Sequence, residues 1–128
     1  MDARIAGLLE SDAGRVLIVE DEAIIALDLK FIVEDMGLDV MGPAPSVDGG
    51  LSAMAESLPT LAILDVNVRG GEVFALADVL QKANVPIIFH SAHATEDELS
   101  SRYPGMIFCP KPTVPYQIED SIVSVLAA

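Results

Sequence analysis

The alternation of short apolar runs with longer amphipathic segments restricts the fold of this chain more than any other feature. Five apolar runs, rich in β-branched and aliphatic residues, predict strands at residues 16–19, 40–41, 61–64, 85–90 and 106–109. Apolar residues at helical spacing then predict helices near residues 23–36, 47–58, 73–80, 95–103 and 118–126. Strands that alternate with helices form a parallel sheet, and right-handed crossovers place helices on both faces. The prediction is a doubly wound α/β fold around a five-stranded parallel sheet.

Capping residues support several of these helix boundaries. Ser46 is a suitable N-cap for the second helix, and Thr95 with Glu98 has the spacing of a capping box for the fourth. Gly37 is placed to end the first helix.

Polar residues stand where the predicted strands end. Glu20 and Asp21 follow the first strand, Asp65 follows the third, Ser91 the fourth and Lys111 the fifth. In doubly wound folds the functional crevice lies beyond the carboxyl ends of the strands, where the strand order reverses. In a flavodoxin-like order of 2-1-3-4-5, the first and third strands are neighbours at that point, so their acids meet.

Such a cluster of acids cannot balance its own charge. Two like charges about 4 Å apart repel by roughly 4 kcal/mol at an effective dielectric constant near 20. Either a carboxyl group is protonated or a cation lies among the acids. Oxygen ligands without histidine or cysteine suit Mg²⁺ or Mn²⁺. With Lys111 and Ser91 they form a set that can stabilise a phosphoryl group during transfer.

Four segments carry a family resemblance: "VLIVEDE", "LAILDVN", "PIIFHSA" and "CPKP". In order and approximate spacing they resemble the receiver domains of bacterial two-component response regulators. The resemblance covers the chain from Arg15 onward, which implies a receiver domain at residues 15–128. Residues 1–14 then form an N-terminal lead, predicted as either helical or disordered.

The resemblance implies a metal site and a phosphoacceptor. Asp65 would accept the phosphoryl group from a phosphohistidine. Asp21 and Asp65 would bind Mg²⁺ directly, with Mn²⁺ as a possible substitute. Glu20 would hold the ion through water, and Asn67 would offer its backbone carbonyl.

It also implies roles for residues on the fourth and fifth strands. Ser91 and Lys111 would contact the phosphoryl oxygens. Ser91 and the aromatic Phe108 would form the conformational switch, and the Lys111–Pro112 bond would be cis.

The sequence departs from the common receiver pattern near the phosphoacceptor. Arg69 and Val73 stand where proline and glycine are usual, and Thr113 follows the Lys-Pro pair where an aromatic is usual. These departures indicate a divergent subclass, expected to be stand-alone because the chain ends with the fifth helix. Output is then expected through protein contact or a phosphorelay, from a sensor histidine kinase or a histidine phosphotransfer protein to a downstream protein that the sequence does not identify.

Two other functions would use similar residues or the same fold. A small aspartyl-phosphate phosphatase of the haloacid dehalogenase type uses the same residue types, but its nucleophile ends the first strand in an Asp-x-Asp motif. Here the acceptor ends the third strand as Asp65-Val66-Asn67. A pseudo-receiver that only binds proteins should lack the ligands, and here they are present.

Charge and composition exclude several classes of protein. The formal charge of −13 repels nucleic acid phosphates. The single cysteine, Cys109, excludes an internal disulfide and is predicted to be buried. No apolar run approaches the ~20 residues of a membrane span, and no secretory leader is recognised. We expect a cytoplasmic protein, a monomer or weak homodimer, that binds neither nucleic acid nor membrane.

Two features remain open between a structural and a functional interpretation. A second apolar row on the first helix consists of Ile24, Leu27 and Phe31. This row is either buried or a docking surface for a helix of a kinase or phosphotransfer protein. The resemblance implies the second role, because the first helix of receiver domains binds such partners. His93 either influences the access of water to the acyl phosphate or is a solvated loop residue, and His90 receives no role.

Overall fold

The computed structural model describes residues 14–127 and shows a five-stranded parallel sheet. The strands are β1 (Arg15–Val19), β2 (Asp39–Ala44), β3 (Leu61–Leu64), β4 (Ile87–Ser91) and β5 (Ile107–Pro110). They lie in the order β2-β1-β3-β4-β5, so the strand order reverses between β1 and β3. The predicted fold class and strand order are confirmed.

Five helices connect or follow the strands. They are α1 (Ala23–Asp35), α2 (Val47–Ala53), α3 (Phe74–Lys82), α4 (Glu96–Arg102) and α5 (Pro115–Leu126). The Ser46 side chain accepts a hydrogen bond from the Gly49 amide, and Thr95 accepts one from the Glu98 amide, as N-caps do. Both predicted N-caps are therefore confirmed.

Alternating strand residues divide the interior into two cores. Ile18, Ile63 and Ile88 pack on one face against the apolar sides of α1 and α5. Val19, Leu64 and Phe89 pack on the other face against residues of α2, α3 and α4. The central strands β1, β3 and β4 are buried on both faces, and therefore their sequences are largely continuous apolar runs.

Two predicted boundaries are wrong. β2 continues through Gly42 and Pro43 to Ala44, beyond the predicted end at Met41. It is the edge strand of the sheet formed by the described residues, and its pairing with β1 is irregular between Met41 and Ala44, which is where a proline is tolerated. α2 ends at Ala53 rather than near residue 58. The two glycines that it contains weaken a helix of this length.

Smaller shifts affect the strands that carry predicted site residues. β4 and β5 end one residue later than predicted, so Ser91 and Pro110 are the last residues of strands rather than the first of loops. Cys109 is buried, as predicted.

Tyr103 ties the end of α4 to α3. Its ring is 2% exposed and lies 5.3 Å from the ring of Phe89, while its hydroxyl donates to Asp78 Oδ1 at 2.7 Å. The guanidinium of Arg102 stacks 4.3 Å above the ring of Phe74 and also pairs with Asp78. The carboxyl end of α4 is thus fixed through both apolar and polar contacts.

The predicted lead at residues 1–14 lies almost wholly outside the described residues, so the boundary near residue 15 stays a prediction. Among residues 14–127, no helix has the length and apolar character that crossing a membrane requires.

We predict that Gly50→Val destabilises the fold. A Cβ at Gly50 would lie 2.7 Å from Leu76 Cδ2 and 3.0 Å from Val19 Cγ2, in a core without space for it. Overpacking of this kind costs about 1–3 kcal/mol. Urea denaturation should show that loss of unfolding free energy, whereas Ser52→Val on the exposed side of α2 should stay close to wild type. Equal effects of the two variants would contradict the packing argument.

Candidate functional site

An ion-paired lysine lies at the carboxyl edge of the sheet. The Nζ atom of Lys111, just after β5, lies 2.8 Å from Asp65 Oδ2 and 2.6 Å from Glu20 Oε1. It hydrogen-bonds the Asp65 carboxylate, whereas its contact with Glu20 is a charge pairing without good hydrogen-bond angles. A third acid, Glu22, lies 3.7 Å away. Three segments far apart in sequence therefore meet where the prediction placed them.

Backbone contacts fix the two buried carboxylates at this edge. The Asp65 amide donates to the Val19 carbonyl at 3.0 Å, which continues the pairing of β3 with β1 by one residue. The Glu20 amide donates to the Ala44 carbonyl of β2 at 2.9 Å. Glu20 is 2% exposed and Asp65 is 7% exposed. The acids are therefore held by the sheet rather than by a flexible loop.

Four acids at this edge are close enough to share a cation. Glu20, Asp21, Glu22 and Asp65 each offer a carboxylate oxygen, and these oxygens lie within 4.8 Å of one another. The predicted metal ligands include Glu20, Asp21 and Asp65 but not Glu22. Glu22 is in fact the N-cap residue of α1, and its amide donates to Glu20 Oε2 at 3.1 Å. Its position directly after Asp21 was the available signal.

The chemistry of this donor set fits Mg²⁺ or Mn²⁺. The ligands are carboxylate oxygens, which hard divalent cations prefer. Two of the acids are exposed or half-buried, which leaves a side of the cluster open to water. The Asn67 amide lies 3.4 Å from Asp65 Oδ1, so Asn67 adjoins the cluster, but the role of its carbonyl stays a prediction.

The pKa values of both Glu20 and Lys111 are raised in this cluster. Burial raises the pKa of Glu20 to about 7, although the Lys111 ammonium opposes the shift. Burial alone would lower the pKa of Lys111, but the carboxylates of Asp65 and Glu20 outweigh it and raise that pKa above its ordinary value. A further positive charge would be stabilised here.

Ser91 and Phe108 lie on the neighbouring strands. Ser91 is 1% exposed, and its hydroxyl accepts long hydrogen bonds, both of 3.4 Å, from the amides of His93 and Ala94. Its carbonyl accepts from the Lys111 amide at 3.0 Å, which ties β4 to the lysine. Phe108 is half-buried and pairs in register with Phe89. Their predicted roles in phosphoryl contact and switching remain predictions, while the Lys111–Pro112 bond is cis as expected.

His90 is a buried polar residue to which sequence reasoning gave no role. It is 4% exposed on the face of β4 that carries Ile88, and neither ring nitrogen has a hydrogen-bonding partner among residues 14–127. Burial lowers the pKa of His90 to about 4, and the nearby Lys111 charge adds to that effect while Asp65 opposes it. The ring is therefore neutral at physiological pH.

The second apolar row of α1 is exposed. Ile24 is 79% exposed, Phe31 is 54% exposed and Leu27 is 47% exposed. The alternative of a broadly buried helix is therefore wrong for these three residues. An exposed apolar row of this kind is typical of an interaction surface.

Comparisons with known proteins identify regulatory proteins among the relatives of this chain. No family model matches the chain. The regulator PhyR of Methylorubrum extorquens is 31% identical over 117 residues, which cover 89% of this chain and 44% of that protein. The chain spans about half the length of the curated relatives that it matches over most of its own length.

Solved structures show the same relationship. The receiver domain of PhyR from Erythrobacter litoralis superposes with a TM-score of 0.78 at 28% identity, covering 88% of this chain and 89% of that one. The receiver domain of HemR from Leptospira biflexa, in its non-phosphorylated form, has a TM-score of 0.80 at 24% identity and covers 90% of this chain and 95% of that one. The HemR match supports the fold alone. The PhyR matches support a relationship in sequence as well.

We predict that His90→Leu becomes more stabilising, relative to wild type, as the pH falls. The folded pKa of His90 lies near 4, below its ordinary value of 6.5, so the unfolded chain binds more protons between these values. Wild-type stability should therefore fall from pH 6.5 to pH 4, by up to about 3 kcal/mol from this group. Urea denaturation of both proteins in EDTA at several pH values measures the difference.

The charged groups around His90 are present in both proteins, so their titration largely cancels in that comparison. They are Lys111 and Asp65, together with the acids that line the groove next to it, which are Glu22, Asp28, Asp35 and Glu119. A difference between wild type and His90→Leu that does not change with pH would contradict the buried, neutral state of the ring.

Proposed function

The chain is a response regulator receiver domain, and on that premise we propose that it accepts a phosphoryl group on Asp65 in a Mg²⁺-dependent reaction. The observation that supports this most directly is the Lys111 bridge between two buried carboxylates, at the strand edge where two further acids adjoin. A lysine held against one carboxylate, next to oxygen ligands for a hard cation, is the charge arrangement that phosphoryl transfer requires.

Asp65 is the nucleophile in the proposed reaction. One of its carboxylate oxygens attacks the phosphorus of a phosphohistidine, so that an O–P bond forms while the N–P bond breaks. The electron pair of the broken bond returns to the imidazole of the donor, which then takes up a proton. The product on this chain is an acyl phosphate.

The other residues stabilise the charge that moves. Lys111 is already 2.8 Å from Asp65 and pairs with a phosphoryl oxygen after transfer, while the Ser91 hydroxyl donates to another. Asp21, Asp65 and the carbonyl of Asn67 would hold Mg²⁺, with Glu20 acting through water and Glu22 beside them. When bound, the ion neutralises negative charge on the phosphoryl oxygens. Ser91 and Phe108 then form the switch that reports the phosphorylated state.

The proposed partners follow from the same assignment. A sensor histidine kinase or a histidine phosphotransfer protein supplies the phosphoryl group and docks on the exposed row of α1, which is Ile24, Leu27 and Phe31. The signal passes on by protein contact in the cytoplasm, from a monomer or weak homodimer. The formal charge of −13 argues against output through direct contact with nucleic acid or with anionic lipid.

We predict that acetyl phosphate with Mg²⁺ adds one phosphoryl group to the wild-type protein, as intact-mass measurement would show. Asp65→Asn and Asp65→Ala should abolish the adduct, and EDTA should prevent it. Glu72→Gln changes an exposed acid of the short antiparallel hairpin formed by Asn67–Val68 and Gly71–Glu72, and it should leave the adduct in place. A wild-type protein without an adduct would favour the pseudo-receiver that only binds proteins, and turnover of a phosphate ester would favour a phosphatase.

We also predict that docking depends on the α1 row. In a phosphotransfer profile against histidine kinases, Phe31→Ala should slow transfer from the most active kinase by about tenfold, since apolar anchors at interfaces are often worth more than 1 kcal/mol. Leu58→Ala removes an equally exposed apolar side chain from the opposite edge of the sheet and should have no effect. Equal rates for the two variants would contradict docking on α1.

A further inference from the structure

A short hairpin follows Asp65 and contains the segment in which this chain departs from the common receiver pattern. Its two arms, Asn67–Val68 and Gly71–Glu72, pair antiparallel. Gly70 and Gly71 connect the arms with φ values of 91° and 134°, a backbone conformation that favours glycine. The two glycines therefore make this tight turn possible directly beside the acidic cluster.

The hairpin is fixed to the body of the protein. The Arg69 amide donates to the Pro45 carbonyl at 3.0 Å, which ties the hairpin to the loop after β2. The Val73 amide donates to the Val66 carbonyl at 2.9 Å, which closes the hairpin at its base. The side chains of Val66, Val68 and Val73 are buried. Both the backbone and one face of the hairpin are thus held in place.

The other face of the hairpin carries Arg69. Along the first arm Asn67 is exposed, Val68 is buried and Arg69 is exposed, so Asn67 and Arg69 share the outer face. Asn67 adjoins the cluster, because its amide lies 3.4 Å from Asp65 Oδ1. Two residues of a strand span about 7 Å. The long side chain of Arg69 is therefore within reach of the rim of the site.

Two cations of residues 14–127 lie at the carboxyl edge of the sheet, and they differ in their partners. Lys111 pairs with the carboxylates of Glu20 and Asp65. The side chain of Arg69 has neither a hydrogen bond nor an ion pair with the described residues. The other cations in this range lie at the start of β1 or beyond the middle of helices, and they are Arg15, Lys30, Lys82 and Arg102. At this edge Arg69 is therefore the cation that is free to bind an external anion.

The charge of the molecule makes such a cation useful. A phosphoryl group is anionic, and a chain with a formal charge of −13 repels it at long range. Lys111 is only 10% exposed, and two carboxylates already compensate its charge. The guanidinium of Arg69 stays charged at every relevant pH, and its planar fork matches phosphoryl oxygens. An exposed guanidinium at the rim offsets the repulsion where the donor has to enter.

We propose that Arg69 binds the phosphoryl group of the incoming donor at the rim of the site and guides it to Asp65. This inference rests on the proposed function, which leaves Arg69 without a role. The contact is an ion pair with hydrogen bonds from the guanidinium to phosphoryl oxygens, and no covalent bond forms at Arg69. Because Arg69 recognises the phosphoryl group itself, it acts on small phosphodonors and on the phosphohistidine of a protein alike.

The test compares the wild type with three variants at saturating Mg²⁺. Acetyl phosphate is the small donor, and the kinase that phosphorylates the full chain fastest is the protein donor. Arg69→Gln should lower the second-order rate constant with both donors about tenfold, the factor that corresponds to about 1.4 kcal/mol. Arg69→Lys keeps the charge without the planar fork and should give an intermediate rate constant. Lys82→Gln removes the same charge from the exposed end of α3 and should stay close to wild type.

Ionic strength provides a readout that a purely structural role of Arg69 would not change. Salt screens the attraction between an exposed guanidinium and an anion, and the Debye length falls to about 3 Å at 1 M. The roughly tenfold ratio of wild type to Arg69→Gln should therefore apply at low ionic strength and approach one near 1 M salt. A ratio that does not change with salt would overturn the proposal.

The remaining outcomes separate this proposal from its alternatives. With acetyl phosphate, an Arg69→Gln rate equal to wild type would overturn it, and equal slowing by Lys82→Gln would show that net charge controls the reaction instead. Slowing with the kinase alone would also overturn it, since Arg69 would then contact an acid of the kinase. A wild type that does not accept acetyl phosphate would refute the proposed function itself.

Thermal denaturation checks that the variants fold. Arg69→Gln should melt at the wild-type temperature, because the contacts of Arg69 with the described residues are made by its backbone. A lower melting temperature together with a salt-independent loss of rate would assign Arg69 a structural role and contradict the proposal.

Discussion

The attraction between one ammonium and two buried carboxylates organises this molecule. Glu20 and Asp65 are nearly inaccessible, and Lys111 lies within 3 Å of both. Removing one partner from a buried ionic group leaves uncompensated charge, which is strongly unfavourable. This contact depends on the parallel sheet, because parallel strands bring the carboxyl ends of β1, β3 and β5 to the same edge. The acids that remain in excess make that edge a place where additional positive charge, or a charged group in transfer, is stabilised.

Much of the charged cluster could be predicted from the sequence, because its residues follow the ends of strands. An apolar run that stops at Asp65 or Lys111 identifies both the strand and the polar residue that follows it. The alternation of strands and helices predicts a doubly wound parallel sheet, and the flavodoxin-like order 2-1-3-4-5 is one of the common orders of such a sheet. The structure then places Glu20, Asp65 and Lys111 in contact, as the strand-end argument required.

Other features could not be predicted from the sequence, and the physical reason differs for each. The end of α2 at Ala53 depends on how weakly a glycine-containing helix competes with a turn, whereas the apolar spacing continues to Leu58 regardless. The extension of β2 through Pro43 depends on its place at the sheet edge, which is a tertiary property. His90 could not be assigned because a strand period gives a side chain its face but not its hydrogen-bonding partners.

The apolar row of α1 also has a colloidal consequence. Ile24, Leu27 and Phe31 would favour association between copies of this chain, yet each copy carries a formal charge of −13. At low ionic strength this charge keeps copies apart over tens of ångströms, and the Debye length shrinks to roughly 8 Å in physiological salt. A basic partner experiences attraction over the same range. The net negative charge therefore disfavours self-association through the apolar row of α1 and favours binding of basic partners to it.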